Sequence, residues 1–183
     1  MPVILHKFRE HSISPKAEIL ILGTFNPDIP AGPDFFYGRP RNFLWYLLPQ
    51  CFGLSSLKEA SLPDKKAFMA AEKIDFADII HGLDIPDGEE ANVDDDFIDG
   101  HIHNWKEIIE MIDTLTDLKA VYFTRKTFNG IPNMRAHVNL IAAHCLQMGV
   151  RFCKLETPAR FYSPQKQQQW IDTIILQSTC LKP

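Results

Sequence analysis

Hydrophobic and polar positions along the chain follow two alternating patterns. Short, mostly apolar runs predict buried strands at residues 18–23, 74–80, 119–124 and 150–155. Apolar residues recurring every three or four positions predict helices at residues 41–53, from Pro63 onward, and at 108–115, 135–148 and 165–177. Strands separated by helices favour a parallel sheet covered on both faces. We therefore predict a single α/β domain over residues 1–183, a three-layer α/β/α sandwich around a central four-stranded parallel sheet.

The segment after the second predicted strand carries a different signal. Eight acids and no Lys or Arg fall within residues 84–99, where Pro86, Gly88 and Asn92 favour turns. We predict a solvated acidic loop there. Asn104 then stands where it can cap the following helix.

Composition places the chain among ordinary globular proteins. Its 183 residues are 45% hydrophobic and 23% charged, which is enough to build a large core. No apolar run approaches the roughly 20 residues that span a membrane. Lys7, Arg9 and Glu10 stand where a signal peptide would need an apolar core. We expect a cytoplasmic monomer with no membrane partner.

The net charge of −4 weighs against a nucleic-acid partner, because duplex binding usually leaves a basic surface. The acids of residues 84–99 account for the negative sign of the net charge. Apart from those eight acids, the chain carries a net charge of +4. A modest basic face elsewhere on the molecule is therefore permitted, although composition alone does not locate it.

Cysteine and histidine spacing does not predict a metal or cofactor site. The four cysteines stand far apart with no Cys-x-x-Cys pair, so neither a zinc site nor an iron–sulfur cluster is indicated. The metal alternative is a metal-dependent hydrolase built on His81, His101 and His103. Because no matching set of ligands surrounds these histidines in the sequence, we expect no cofactor.

The end of the first predicted strand holds the strongest functional signal. Gly23 ends a run of four branched aliphatic residues, and a glycine lets the backbone approach a ligand where a side chain could not. In open α/β sheets, ligands bind outside the carboxyl ends of the strands. Asn26, Tyr37 and Asn42 therefore fall where they could bind a planar ligand by aromatic stacking and hydrogen bonds.

Two segments around these residues resemble motifs of the uracil-DNA glycosylase superfamily. Branches specific for mismatched uracil or thymine have Gly-Ile-Asn-Pro-Gly after the first strand, then an aromatic residue, a His-Pro pair and Asn-Arg-Phe-Trp. This chain has Gly23-Thr24-Phe25-Asn26-Pro27, then Tyr37, Arg39-Pro40 and Asn42-Phe43-Leu44-Trp45. The hypoxanthine-DNA glycosylase branch is nearer still, with patterns matched here by Gly23-Thr24-Phe25 and Pro40-Arg41-Asn42. The resemblance covers residues 19–177.

This resemblance implies a DNA glycosylase that excises a deaminated or damaged base, of the uracil or hypoxanthine class, in base excision repair. Its partner would be DNA containing such a base. In most branches the water-orienting residue stands where this chain has Phe25, and Asn26 follows one residue late. The hypoxanthine branch also has Phe at that position, and there the Asn of the Pro-Arg-Asn segment is the implied catalytic group. The resemblance thus implies Asn42 as the catalytic residue, with Asn26 as the second candidate.

The resemblance also implies residues that bind the base and the DNA. Base flipping delivers the target base to a pocket, where an aromatic side chain offsets the cost of unstacking. The base-binding candidates are Gly23, Thr24, Phe25 and Tyr37, with Tyr37 in the stacking position. The DNA-binding candidates are Arg39, Arg41, Thr157, Arg160, Phe161 and Ser163.

These residue types suit glycosidic cleavage. The reaction passes through an oxocarbenium-like sugar and a departing base anion, so it needs a placed water and hydrogen-bond donors more than a strong nucleophile. The carboxamide of Asn42 can orient the water or bond the base edge. Backbone amides near Thr24 and Phe25 can receive the negative charge of the leaving base. No metal or organic cofactor is required.

Structural interpretations of the same residues stay open. Asn42 could cap the helix that carries Trp45, Asn26 could form a turn with Pro27, and Tyr37 could pack in the core. A second functional hypothesis is a member of the same superfamily that binds a nucleobase or nucleic acid without cleaving it. Phe25 and a closing loop at residues 155–163 that lacks a His favour this second hypothesis.

Overall fold

A four-stranded parallel sheet forms the centre of the computed structural model, which describes residues 2–90, 92 and 94–176. Its strands are β2 (Ile19–Gly23), β3 (Ile74–Asp78), β6 (Ala120–Phe123) and β7 (Arg151–Lys154). They pair in the order β3–β2–β6–β7, and all three pairings are parallel. The predicted α/β class and the central four-stranded sheet are confirmed.

The central strands bury side chains on both faces. Leu20 and Leu22 of β2 lie in one hydrophobic core, and Ile21 between them lies in the other. Val121 and Tyr122 of β6 divide between the two cores in the same way. This period of two follows from the strand backbone, in which successive side chains point to opposite faces. The result is the predicted three-layer arrangement.

Helices cover both faces of the sheet. The core of Ile21 includes residues of α1 (Leu44–Cys51), α2 (Leu62–Glu72) and α6 (Pro164–Ile171). The core of Leu20 includes residues of α3 (Asp95–Gly100), α4 (Ile108–Thr114) and α5 (Pro132–Gln147). A single π-helical turn, Asp172–Leu176, follows α6, and the predicted helix end at Gln177 lies outside the described residues.

No helix within the described residues is long and apolar enough to cross a bilayer.

A second sheet, which the sequence did not predict, packs beside the first. It consists of β1 (Val3–Leu5), β4 (Ile80–Asp84) and β5 (Ile102–Trp105), paired antiparallel in the order β1–β4–β5. The predicted strand at residues 74–80 is β3 followed, after Ile79, by β4. The predicted cap at Asn104 is wrong, because Asn104 pairs with Gly82 inside β5 and α4 begins only at Ile108.

The acidic segment is not simply a solvated loop. Its last part forms α3, and Asp99 there is only 3% exposed. The carboxylate of Asp99 accepts the backbone N–H groups of Asn133 (3.0 Å) and Met134 (2.6 Å) in the first turn of α5. Ile131, which precedes α5, has no side-chain acceptor for those groups. Asp99 therefore caps α5 from another element, a long-range role that its local sequence does not reveal.

Candidate active site

A pocket of about 490 Å³ opens at the carboxyl ends of the central strands. Its lining comprises residues 23–26 after β2, Asp78 at the end of β3, residues 124–127 after β6 and residues 156–160 after β7, together with Tyr37, Arg39, Asn42, Asp94, Asp95 and Ile98. Its size falls in the range of roughly 300–1,000 Å³ that is usual for ligand sites. It lies where ligands bind in open α/β sheets.

The second motif and the closing loop meet at this pocket. Asn42 and Ala159 form an isolated antiparallel bridge. On either side of it, the Phe43 N–H donates to the Pro158 carbonyl oxygen and the Arg160 N–H donates to the Arg41 carbonyl oxygen, each at 2.8 Å. Two segments more than a hundred residues apart in the sequence thus form one wall of the pocket.

The side chain of Asn42 has a structural role in this wall. Its Oδ1 accepts the backbone N–H of Leu44 at 3.0 Å, at the start of α1. Phe43, which directly precedes the helix, offers no side-chain acceptor. The N-cap residue of α1 is thus Phe43 rather than Asn42, but the Asn42 side chain satisfies one N–H group of the first turn. Its Nδ2 donates no hydrogen bond to a described residue, so the amide nitrogen is available to a ligand.

Asn26 bonds a carboxylate that sequence reasoning missed. Its Nδ2 donates to Oδ2 of Asp78 at 2.6 Å, and Nε2 of His6 lies 2.6 Å from the same oxygen. Nδ1 of His6 accepts the backbone N–H of Phe8 at 3.0 Å, so the ring proton resides on Nε2 and is donated to Asp78. Two donors therefore hold one oxygen of a carboxylate that is only 2% exposed.

Gly23 makes room for this carboxylate. A Cβ on Gly23 would overlap Oδ1 of Asp78 and would lie 2.8 Å from the hydroxyl oxygen of Tyr37. The sequence predicted a glycine that lets backbone approach a ligand. In the structure, the close neighbours of the Gly23 backbone are two side chains of the pocket itself.

Tyr37 is held in a fixed orientation beside Asp78. Its backbone has φ of 57°, its ring centroid lies 5.7 Å from that of Phe76, and its hydroxyl oxygen lies 3.2 Å from Oγ1 of Thr124. Thr124 donates its own hydroxyl proton to the Leu22 carbonyl oxygen, so Tyr37 is the donor of this pair. Burial, assisted by the Asp78 carboxylate, raises the pKa of Tyr37 well above its ordinary value. Tyr37 therefore remains a neutral aromatic group.

Charges of both signs line the pocket. The cations are Arg39, Arg125, Lys126 and Arg160, and the anions are Asp78, Asp94, Asp95 and Glu156. Arg125 forms an ion pair with Asp95, which comes from the acidic segment. Arg39 and Arg160 form no ion pair with any residue in the described part of the chain. Part of the acidic segment thus faces the pocket, which further corrects its interpretation as a solvated loop.

The structure gathers most, but not all, of the predicted site residues. The predicted residues that line the pocket are Gly23, Thr24, Phe25, Asn26, Tyr37, Arg39, Asn42, Thr157 and Arg160. Arg41, Phe161 and Ser163 do not line it. Phe161 is 55% exposed, and Ser163 caps α6 by accepting the Lys166 N–H at 3.1 Å.

Sequence reasoning missed Asp78, Thr124, Arg125 and Lys126 as lining residues. A usable signal was present for each of them. Asp78 ends the strand beside β2, and the other three directly follow the last apolar residues of β6. Applying the strand-end rule to every parallel strand, rather than to β2 alone, would have found them.

Two of the three histidines considered for a metal site, His101 and His103, have other partners. Nδ1 of His101 lies 2.7 Å from the Phe97 carbonyl oxygen, and Nδ1 of His103 lies 2.9 Å from Oδ2 of Asp84. Among residues 2–90, 92 and 94–176, no group of three or more His, Cys, Asp or Glu side chains is arranged to hold a metal ion.

Comparison with known proteins yields one structural likeness. No family model matches the sequence, and no curated protein matches it. The fold is similar to the solution NMR structure of a "putative Uracil DNA glycosylase" from Methanosarcina acetivorans. The TM-score is 0.61, the identity is 18%, and the match covers 93% of this chain and 92% of that chain. The two chains share one fold.

Proposed function

We propose that this protein is a DNA glycosylase-like hydrolase. It cleaves the N-glycosidic bond of a deaminated or damaged base, of the uracil or hypoxanthine class, in DNA and acts in base excision repair. The observation that carries the proposal is the convergence of Tyr37, Asn42 and Asp78 on one pocket at the carboxyl ends of the strands. The fold shared with the Methanosarcina acetivorans protein adds support.

Tyr37 is the group on which the flipped base stacks. Extruding a base from duplex DNA costs a few kcal/mol, and stacking on an aromatic ring returns roughly 1–3 kcal/mol. The ring is suited to this because its hydroxyl bond to Thr124 and its packing on Phe76 hold it before the base arrives. Little ordering free energy is then lost on binding.

Hydrogen-bond donors near the ring recognise the base and stabilise its departure. The amide nitrogen of Asn42 donates to a base carbonyl, since Oδ1 of Asn42 already accepts the Leu44 N–H. The backbone amides of Thr24 and Phe25 receive the negative charge that develops on the leaving base. Fixed donors of this kind lower the barrier because they need no reorganisation as charge develops.

Cations at the pocket hold the DNA backbone. Arg39 and Arg160 line the pocket without an ion pair to a described residue, so their guanidinium groups can bind phosphates bidentately. Thr157, in the same loop as Arg160, adds a hydroxyl group. Phosphate contacts of this kind position the strand without reading its sequence.

An excision screen tests the proposal. Single-turnover reactions are run on single- and double-stranded oligonucleotides carrying uracil, hypoxanthine, xanthine or an alkylated base, with the undamaged oligonucleotide as the control. We expect release of at least one lesion base and an alkali-labile abasic site in its place. Tight, lesion-dependent binding without release would instead favour a protein that binds nucleobases without cleaving them.

A further inference from the structure

Asp78 has the position and the chemistry of a reacting group. We propose that Asp78 is the catalytic carboxylate of this pocket and that His6 and Asn26 are its positioning residues. The inference rests on the proposed function and deepens it. It moves the water-orienting role from the two asparagines indicated by sequence to a residue on the neighbouring strand.

The two oxygens of Asp78 differ in their partners. Oδ2 accepts hydrogen bonds from His6 Nε2 and Asn26 Nδ2, each at 2.6 Å. Oδ1 accepts none from any described residue, although Asp78 lines the pocket. Both partners donate to Oδ2, so that oxygen acts as an acceptor. The carboxylate is thus fixed through one oxygen and offers the other to a ligand.

A second buried aspartate on the same strand provides a contrast. Asp75 of β3 also pairs with a histidine, with Oδ1 2.7 Å from Nε2 of His11. Its other oxygen accepts the backbone N–H of Ser14 at 2.8 Å, and it does not line the pocket. Asp75 therefore uses both oxygens to hold the chain segment before β2. Asp78 keeps one oxygen unused, as a reacting group requires.

Lys106 is a buried lysine that interacts electrostatically with Asp78. Its Nζ is buried and has no hydrogen-bond partner within the described residues. Burial lowers the pKa of Lys106, and the carboxylates of Asp78 and Asp75 oppose that shift by attracting the ammonium group. A buried carboxylate without nearby positive charge or donors would be strongly disfavoured. His6 and Asn26 satisfy the buried carboxyl group of Asp78 through hydrogen bonds to Oδ2.

Hydrolysis breaks one bond at C1′ and forms another. The C1′–N glycosidic bond breaks, and its electron pair leaves on the base nitrogen. Negative charge on Asp78 stabilises the oxocarbenium-like sugar, and Oδ1 accepts a hydrogen bond from the incoming water. The water oxygen forms the new bond to C1′, its proton passes to Oδ1, and that proton then goes to the departed base anion. The products are the free base and an abasic sugar.

The test separates chemistry from binding. Asp78→Asn keeps an oxygen that can accept from His6 and Asn26 but removes the negative charge. We expect its single-turnover excision rate to fall by about 10²-fold or more, the scale of losing a positioned electrostatic group, while lesion-DNA affinity stays within about threefold. The matched control is Asp75→Asn, which should lower stability and leave the excision rate nearly unchanged.

The positioning role of His6 has its own measurement. His6→Phe keeps a ring among Phe8, Phe25 and Phe36 but loses the donor to Asp78. We expect it to slow excision, and we expect His6→Gln, whose amide can still donate, to recover part of the rate. If Asp78→Asn does not fold, these two variants test the role of Asp78 in its place.

Three results would overturn the inference. An Asp78→Asn protein that excises within threefold of the wild-type rate would remove the catalytic role. If Asp78→Asn lowers the affinity for lesion DNA but not the single-turnover rate, Asp78 binds the base and does not take part in the chemical step. Equal rates in the wild type, His6→Phe and His6→Gln would remove the positioning role. A folded wild type that releases no base would overturn the proposed function as well, which distinguishes the two failures.

Discussion

Oδ1 of Asp78 lies so close to Gly23 that a Cβ on Gly23 would overlap it, and that Cβ would lie 2.8 Å from the hydroxyl oxygen of Tyr37. Gly23 ends β2 and Asp78 ends β3, and the two residues are paired in register. The ends of two adjacent parallel strands therefore place a carboxylate next to the gap left by a glycine, which has no side chain. This arrangement allows the buried carboxylate of Asp78 to line the pocket at the carboxyl ends of the strands.

Filling that gap should damage the site. Gly23→Ala forces a methyl group against Asp78 and Tyr37, and overpacking of this kind costs roughly 1–3 kcal/mol of unfolding free energy. Chemical denaturation measures the stability, and single-turnover excision measures the accompanying loss of rate. The control is Gly100→Ala, where an added Cβ meets nothing within 4 Å. Equal stability and activity in Gly23→Ala and the wild type would disprove the close packing.

Asn42 combines a cap with a free amide nitrogen, and two substitutions separate these roles. Asn42→Ala loses both, so we expect about 1 kcal/mol lower stability and excision slower by about 10²-fold. Asn42→Asp keeps an oxygen for the Leu44 N–H, so we expect near wild-type stability but slow excision. Thermal melts and single-turnover rates distinguish the effects. Full activity in Asn42→Asp would mean that the amide nitrogen does not contribute.

Stacking on Tyr37 predicts a loss of affinity. Tyr37→Ala should weaken binding of lesion-bearing DNA by roughly 1–3 kcal/mol, measured by fluorescence anisotropy. Tyr37→Phe keeps the ring and loses only the hydroxyl bond to Thr124, so its lesion affinity should stay near that of the wild type. If Tyr37→Ala unfolds while Tyr37→Phe is stable and binds normally, the ring belongs to the core rather than to the base site.

The ion pair between Arg125 and Asp95 predicts a gain of affinity. Asp95→Asn frees Arg125 to contact a phosphate, so lesion DNA should bind more tightly and the slope of log affinity against log salt should steepen by up to about one unit. Asp113→Asn removes the same charge from an acid that pairs with His144 and does not line the pocket, so it should have little effect. Similar gains in both variants would trace the effect to net charge alone.

The sequence predicted the central sheet because three of its four strands, β2, β3 and β6, are buried on both faces. An aliphatic run such as Ile19 to Leu22 fits a strand that is buried on both faces. The rule that ligands bind at the carboxyl ends of such strands then locates the pocket. Contacts between distant residues were not predictable in the same way. His6 and Asp78 are 72 positions apart, and nothing in their local sequences links them. The local sequence of Asp99 likewise predicts a solvated acid, because the α5 backbone groups that it binds are distant in the sequence.

Hydrolysis of an N-glycosidic bond in DNA is the activity we propose for this pocket. Its most direct test is mass spectrometry of a lesion-bearing oligonucleotide after a single turnover with the wild-type protein. We predict a free lesion base and an equal amount of a strand whose mass corresponds to one abasic site, both much reduced with Asp78→Asn. A strand of unchanged mass after incubation with folded protein, for every deaminated and alkylated base tried, would contradict the proposed hydrolysis.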